Sequence, residues 1–331
     1  MEELKVLHFT DVHENISRLE AIAKFMEEKK DIDLVIQTGD LTGYEKPEDY
    51  PYTYESEVDA FIEKNQDKNI PLEEVLASHS IDPIKLYDGT LRETLDKLPS
   101  AERKEILEKF NTQAKFIAGI KEIYSKHVAR LKPYLKKIKS LTKYFIGVAG
   151  NHDLNPLYGE LKDIIDFVDI TPGTNVYGRT GVRFKVKGMI NSYELSPTLS
   201  KLVQTGLLVN WMSGLSTNME GIDKELIKQI QKKEKERMGY DKPDIMLLHK
   251  FSYPKEHKFR ENIDYNNAQG SELAYEYQQM THSYAGHWHE PRVVVINGKM
   301  QINPGPNHVA ITTYNKNKEL TGVDIYEIIK A

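Results

Sequence analysis

Residues 144–153 read Tyr144-Phe145-Ile146-Gly147-Val148-Ala149-Gly150-Asn151-His152-Asp153, an apolar run of strand character that stops at an amide and an imidazole set side by side. Taken alone, an Asn-His pair after glycine is a loop turn, because Asn tolerates left-handed backbone. The same arrangement recurs along the chain, however, and the recurrence decides the reading.

Upstream, 4–10 reads as a first strand and ends in Asp11-Val12-His13-Glu14-Asn15. Residues i and i+2 of an extended end point to the same side, so Asp11 and His13 address one point in space. Leu19, Ile22, Ala23 and Met26 then follow at helical spacing. A second strand, 33–37, is apolar enough to be buried on both faces and ends in Gly39-Asp40-Leu41-Thr42-Gly43. Strand, helix, strand implies a parallel pair. Ligands of such sheets collect beyond the carboxyl ends of the strands, which sets Asp40 beside Asp11 and His13.

Downstream, the apolar run 244–248 stops at His249, and Tyr284-Ala285-Gly286-His287-Trp288-His289 ends another strand with two imidazoles two apart. Asn297-Gly298, between 293–296 and 299–302, supplies the positive φ angles of a type I′ hairpin. Strands at 309–314 and 322–328 close the chain. A short helix is expected over 161–168, a strand over 182–190, and helices over 223–237 and 272–280. The Ser-, Thr-, Asn- and Gly-rich stretch 191–221 carries no assignment.

Residues 44–125 interrupt the alternation, since a return to the sheet needs only one helix. This stretch reads as a helical insertion, a candidate cap, within a single domain spanning 1–331. Residues 44–100 hold 6 basic and 14 acidic side chains, and 101–143 hold 12 basic and 4 acidic, so the two halves are expected to attract each other. Ile117, Ile120, Tyr124, Val128, Leu131, Leu135 and Ile138 mark an amphipathic helix, expected to break or kink near Pro133. The basic run 130–143 reads more readily as a solvated helix face than as a groove for single-stranded nucleic acid, which interleaves aromatics.

Composition bounds the rest. With 39% hydrophobic and 29% charged residues the chain is that of a globular protein, and no run of about 18 apolar residues offers a bilayer span. Met1-Glu2-Glu3-Leu4-Lys5 has neither the basic start nor the apolar core of a signal peptide, so a cytoplasmic location is expected. A net charge of −5 gives no global attraction to nucleic acid. Cys is absent, which excludes disulfides and thiolate metal sites.

Collected, the strand ends are Asp11, His13, Asp40, Asn151, His249, His287 and His289, with His152 adjacent. Hard oxygen and borderline nitrogen donors in this number suit two divalent ions sharing a carboxylate. An amide oxygen without any thiolate favours Mn²⁺ or Fe over a structural zinc.

In this order the motifs Asp11-Val12-His13, Gly39-Asp40-Leu41-Thr42-Gly43, Gly150-Asn151-His152-Asp153, His249 and Gly286-His287-Trp288-His289 resemble the signature of the calcineurin-like metallophosphoesterase superfamily. The resemblance covers 4–43 and about 140–327 but not the insertion. It implies an α/β fold, a four-layer αββα sandwich of two mixed sheets. One divalent ion would be held by Asp11, His13, Asp40 and His289, and a second by Asp40, Asn151, His249 and His287. Mn²⁺ is the preferred metal, with Fe, Zn and Ni as alternatives. Protein Ser/Thr phosphatases of the superfamily continue the second motif with Asp-Arg-Gly, and purple acid phosphatases carry a Tyr ligand where Gly43 stands; this chain has neither. It looks more like the small bacterial and archaeal phosphoesterases.

The resemblance implies hydrolysis of a phosphodiester, or less readily a phosphomonoester, by a metal-bridging hydroxide, with His152 as general acid. A small phosphate ester or a nucleotide-like molecule is the expected substrate. Two alternatives remain open at this point: a nuclease whose basic helix tracks a backbone, and a scaffold that keeps the fold and docks partners on the insertion.

Overall fold

The computed structural model describes residues 3–43, 51–82, 85, 90–154, 156–169, 173–179, 181–189, 242–250 and 278–329. In chain order these form β1 (Leu4–Phe9), α1 (Ile16–Lys29), β2 (Leu34–Thr38), α2 (Tyr54–Lys64), α3 (Leu72–Ser78), α4 (Leu91–Leu95), α5 (Ser100–Ser140), β3 (Tyr144–Val148), α6 (Pro156–Leu161) and β4 (Asp166–Phe167). There follow β5 (Thr174–Tyr177), β6 (Arg183–Met189), β7 (Ile245–Leu248), β8 (His282–Tyr284), β9 (Arg292–Ile296), β10 (Lys299–Asn303), β11 (His308–Tyr314) and β12 (Leu320–Glu327).

The pleat of β1 generates the layers. Leu7 and Phe9 turn to one face and pack with Leu19, Ile22, Ala23 and Met26 of α1 and with Tyr124, Val128, Leu131, Leu135 and Ile138 of α5. Leu4 and Val6 turn to the other and pack with Phe184, Val186, Ile245 and Leu247. A strand buried on both faces sits between a helical layer and a second sheet. The two sheets have orders β12-β11-β1-β2-β3-β4 and β5-β6-β7-β8-β10-β9. Both are mixed: β1, β2, β3 and β4 run parallel, as do β6, β7, β8 and β10, with antiparallel strands outside them. This is the expected α/β architecture of two packed mixed sheets. The helices expected over 223–237 and most of 272–280, and the unassigned 191–221, lie outside the described residues.

Two expectations are corrected. The helix placed over 161–168 is instead α6, which starts at Pro156, while 166–167 form β4. Proline is preset for the first helical turn, and pairing of Ile146 with Asp166 and Gly147 with Phe167 draws the later residues into the sheet. Helix α5 runs 41 residues without a break, with Pro133 inside it. Pro133 and Ala129, whose carbonyl loses its partner, both face solvent. Water can satisfy that carbonyl while Val128, Leu131 and Leu135 hold the turns on either side against the sheet. Among the described ion pairs, His79–Glu102, His79–Glu105, Arg103–Asp96 and His127–Glu57 join residues 44–100 to 101–143, while Lys132–Glu160 and Lys137–Glu27 tie α5 to the core.

A second, smaller apolar cluster stands apart. Val75, Leu76, Ile81 and Leu95 enclose Ile106 near the amino end of α5, while α2 meets the middle of that helix through Phe61 and Phe116, ring centroids 5.5 Å apart.

His8 of β1, fully buried, has its Nε2 2.8 Å from Thr38 Oγ1 of β2 and its ring edge-on to Tyr284 of the second sheet. Burial lowers its pKa from 6.5 to about 3. The unfolded chain therefore binds this proton first as pH falls, so the stability involved is complete above pH 6.5 and is lost progressively towards pH 3. In denaturant titrations, the stability advantage of the parent over His8→Gln should shrink by about 2 kcal/mol between pH 7 and pH 5. An advantage that stays constant over this range would show that His8 is not held neutral.

Candidate metal centre

Every expected site residue leaves a sheet at the carboxyl end of a strand: Asp11 and His13 after β1, Asp40 after β2, Asn151 and His152 after β3, His249 after β7, and His287 and His289 after β8. The loops are tied to one another rather than to solvent. Asp11 N–H donates to Gly39 O (3.1 Å), His13 N–H to Asp40 O (2.9 Å) and Gly286 N–H to His249 O (2.7 Å). His287 N–H donates to Asp11 (3.0 Å) and His152 N–H to Asp40 Oδ1 (2.9 Å). Asp11, His13, Glu14, Asp40 and His287 all adopt φ between 49° and 70°. Such backbone is costly for side chains of this kind and clusters at functional sites.

The side chains converge in two groups, Asp11 with His13 and His289, and Asp40 with His249 and His287, the donor atoms within each lying no more than 4.8 Å apart. His13 Nε2 lies 3.1 Å from His289 Nε2, and each is 4.0 Å from Asp11 Oδ1. His249 Nε2 lies 2.8 Å from Asn151 Oδ1 and 3.3 Å from Asp40 Oδ2, while His287 Nδ1 is 3.1 Å from the same amide oxygen. All seven expected ligands are thus brought together. The His152 ring sits edge-on to His13, centroids 5.6 Å apart. Asp11, His13 and His249 are fully buried, whereas the His289 side chain is 33% exposed, so the site opens on the β8 side.

The donor set fits divalent metal. Burial holds His13 down at about 3 and His287 well below its usual range, so both imidazoles are neutral and offer lone pairs. His249 Nδ1 is 2.8 Å from Thr38 O, which can only accept; the proton on Nδ1 leaves Nε2 to face a carboxylate and an amide oxygen. Burial alone would lower His249, but Asp40 raises it to about 9, so in the metal-free chain a proton meets the demand for positive charge at Nε2. Burial pushes Asp11 up to about 6, despite His249. Burial likewise disfavours the Asp40 carboxylate, yet the surrounding imidazoles, His249 first, hold it well below the usual range. Oxygen and imidazole acceptors aimed at shared points form a cation site.

Sequence reasoning missed the shell behind these residues. Glu55 Oε1 accepts from His152 Nδ1 at 2.5 Å, and Tyr54 OH donates to His152 O. Buried Glu14 accepts from Gly43 N–H (3.5 Å) and Tyr54 N–H (3.3 Å) and pairs with His127 of α5. Asp153 gathers Thr42 N–H (3.0 Å) and Gly150 N–H (2.9 Å), joining the second motif to the third. Arg18 of α1 donates to Asp11 O and Val12 O at 3.2 and 3.1 Å. In the sequence, Glu55 and Glu57 after Thr53 carry only the signature of a capped helix start. A Cβ on Gly43 would fall 1.9 Å from His13 Nδ1, so this backbone carries no side-chain ligand at that position.

No curated protein sequence matches the chain. The family model for calcineurin-like phosphoesterases matches residues 4–79, the segment that contains Asp11, His13 and Asp40. Over that segment the chain is similar to calcineurin-like phosphoesterases. The likeness in shape extends beyond that segment: one solved structure aligns over 99% of this chain and 100% of its own, with a TM-score of 0.51 and 12% identity. Two others are more distant in shape. TT1561 of Thermus thermophilus aligns over 99% of this chain and 100% of its own at 12% identity and a TM-score of 0.43. Phosphopantetheinyl hydrolase from Mycobacterium tuberculosis aligns over 92% and 91% at 11% identity and a TM-score of 0.43.

The site depends on glycine where its loops touch. Gly39 has φ +99°, and a Cβ there would lie 2.3 Å from His249 Nδ1 and 2.7 Å from Gly150 Cα. Gly39→Ala should cost about 1–3 kcal/mol of stability and weaken binding of any divalent ion the donor groups take up. Thermal melts and a metal titration check this, and a variant matching the parent in both would contradict the packing described.

Proposed function

We propose that this chain is a dinuclear-metal-dependent phosphoesterase that hydrolyses a small or nucleotide-like phosphate ester, a diester in preference to a monoester. The observation that carries the reading is the pair of adjoining donor clusters, Asp11, His13 and His289 beside Asp40, His249 and His287. Asp11, His13, Asp40 and His289 would hold one divalent ion, and Asp40, Asn151, His249 and His287 the other, with Mn²⁺ preferred for an oxygen- and imidazole-rich set. When bound, such a pair acidifies water towards neutrality and offsets charge developing on the phosphoryl oxygens.

The chain's own contribution to bond breaking is His152. Burial alone would lower this imidazole, but the carboxylates of Asp40 and Glu55 outweigh it and hold it above its usual value, in favour of the protonated form that a general acid needs. As a water oxygen forms the new P–O bond and the old one breaks, His152 gives that proton to the departing oxygen. Preference for a diester agrees with the absence of an arginine after Gly43, since a dianionic monoester asks for more positive charge than a monoanionic diester.

The proposal extends to organisation: one domain over 1–331, with the helical insertion 44–125 capping the strand ends and limiting what reaches the site. No helix among the described residues is long and apolar enough to cross a membrane, which agrees with a cytoplasmic setting.

Metal-stripped protein titrated with Mn²⁺ should regain cleavage of bis(p-nitrophenyl) phosphate, faster than of p-nitrophenyl phosphate, and bind two ions per chain. Asp40→Asn should abolish the restored activity; retention of it, or failure to bind metal, would overturn the proposal. His152→Ala should keep both metals yet lose about 10²–10⁴-fold in turnover on esters with poor leaving groups, measured against metal content in the same preparations.

A further inference from the structure

His152 is held at three handles. Its N–H donates to Asp40 Oδ1 at 2.9 Å, its carbonyl accepts from Thr42 Oγ1 at 2.9 Å and from Tyr54 OH, and its Nδ1 meets Glu55 Oε1 at 2.5 Å. The first two tie His152 to the second motif. Tyr54 and Glu55 are consecutive residues at the start of α2, inside the insertion.

The start of α2 is itself fastened to the site. Thr53 caps it by accepting from Ser56 N–H, and Tyr54 N–H donates to Glu14, which directly follows His13. The Tyr54 ring stands edge-on to Tyr124 of α5, centroids 5.0 Å apart, and Val58 and Ile62 are buried below it.

A carboxylate in the first turn of a helix needs no partner beyond the helix dipole and solvent. Glu57, two residues on, has a side chain 26% exposed, whereas those of Glu55 and His152 are 10% and 9% exposed. Burying a carboxylate is costly unless it is paired, and helix capping alone does not call for it. The cost is intelligible if the carboxylate serves the imidazole.

We infer that Glu55 is a positioning residue for His152: by accepting the Nδ1 proton it fixes the tautomer and ring orientation, so that the proton exchanged with substrate belongs to Nε2. An acid held against the far nitrogen of a catalytic imidazole acts in this way. The inference rests on the reading of His152 as general acid. It also changes the role of the insertion, which supplies part of the bond-breaking apparatus in addition to covering the site.

The test uses the full-length Mn²⁺-loaded chain with bis(p-nitrophenyl) phosphate and diphenyl phosphate, whose leaving groups need a proton to different degrees. Glu55→Ala should lower kcat on diphenyl phosphate by about 10–100-fold, a range typical of partners that fix a histidine's tautomer. KM and metal content should stay near the parent's, and the loss on the nitrophenyl ester should be smaller. Glu55→Gln, whose amide oxygen still accepts from Nδ1–H, should recover much of the difference, and Glu55→Ala added to His152→Ala should cost nothing further.

An independent readout is the imidazole ¹⁵N–¹H spectrum, with the His152 signals identified by their loss in His152→Ala. With diamagnetic Zn²⁺ in place of Mn²⁺ and at a pH high enough for the imidazole to be neutral, the parent should show the Nδ1–H tautomer and Glu55→Ala a mixture. If His152→Ala shows the leaving-group-dependent loss and Glu55→Ala does not, or if the tautomer is the same in both, this inference alone is overturned. If His152→Ala shows no such dependence, the general-acid reading fails and this inference falls with it.

Discussion

Asp40 is the point through which the two halves of the molecule are held to one another. Its carboxylate takes the His152 N–H from the first sheet and lies 3.3 Å from His249 Nε2 of the second, and its carbonyl receives the His13 N–H. A buried carboxylate is expensive, and here the expense is met by groups that arrive from β3 and β7, one in each sheet. Two sheets must therefore stack so that their carboxyl edges coincide, because a shift of either would leave Asp40 buried without its partners. Much of the loop architecture follows: left-handed backbone at Asp11, His13 and Asp40, and glycines at 39, 43 and 150 where one loop lies against the next.

The stacking is set by residues without chemistry of their own. A Cβ on Gly188 of β6 would fall 2.4 Å from Val148 Cγ1, so the second sheet approaches the end of β3 as closely as a bare backbone allows. Val148 immediately precedes the loop that presents Asn151 and His152. The packing of apolar side chains between Leu4, Val6, Leu34, Ile36, Ile146 and Val148 on one side and Val186, Ile245 and Leu247 on the other thus fixes the distance across which the donor atoms meet.

The sheet core was legible because buried parallel strands write a simple pattern, an apolar run closed by polar residues, and because a strand end brings side chains two apart to one place. Asp11 and His13 come to one place in this way, whereas His287 and His289, also two apart, enter different donor groups. What escaped was long-range or cooperative. The continuity of α5 through Pro133 depends on which face of the helix meets solvent, and the conversion of 166–167 to strand depends on a free edge beside β3. Glu55 was invisible for a related reason: its partner lies 97 residues away, and a carboxylate after a capping Thr carries a sufficient local explanation.

Helix α5 is about 60 Å long at 1.5 Å per residue, and it touches two separate apolar clusters, the main core from Phe116 onward and the outer one at Ile106. The outer cluster is built from α3, α4 and the amino end of α5, and the main core does not include its residues. Such an arrangement behaves as two cooperative units strung on one rod. A change in the outer cluster need not be felt at the inner turns of the same helix, where Tyr124 meets Thr42 and His127 meets Glu14 beneath the site. The helix thereby carries packing from the outer cluster to the floor of the site without merging the two cores.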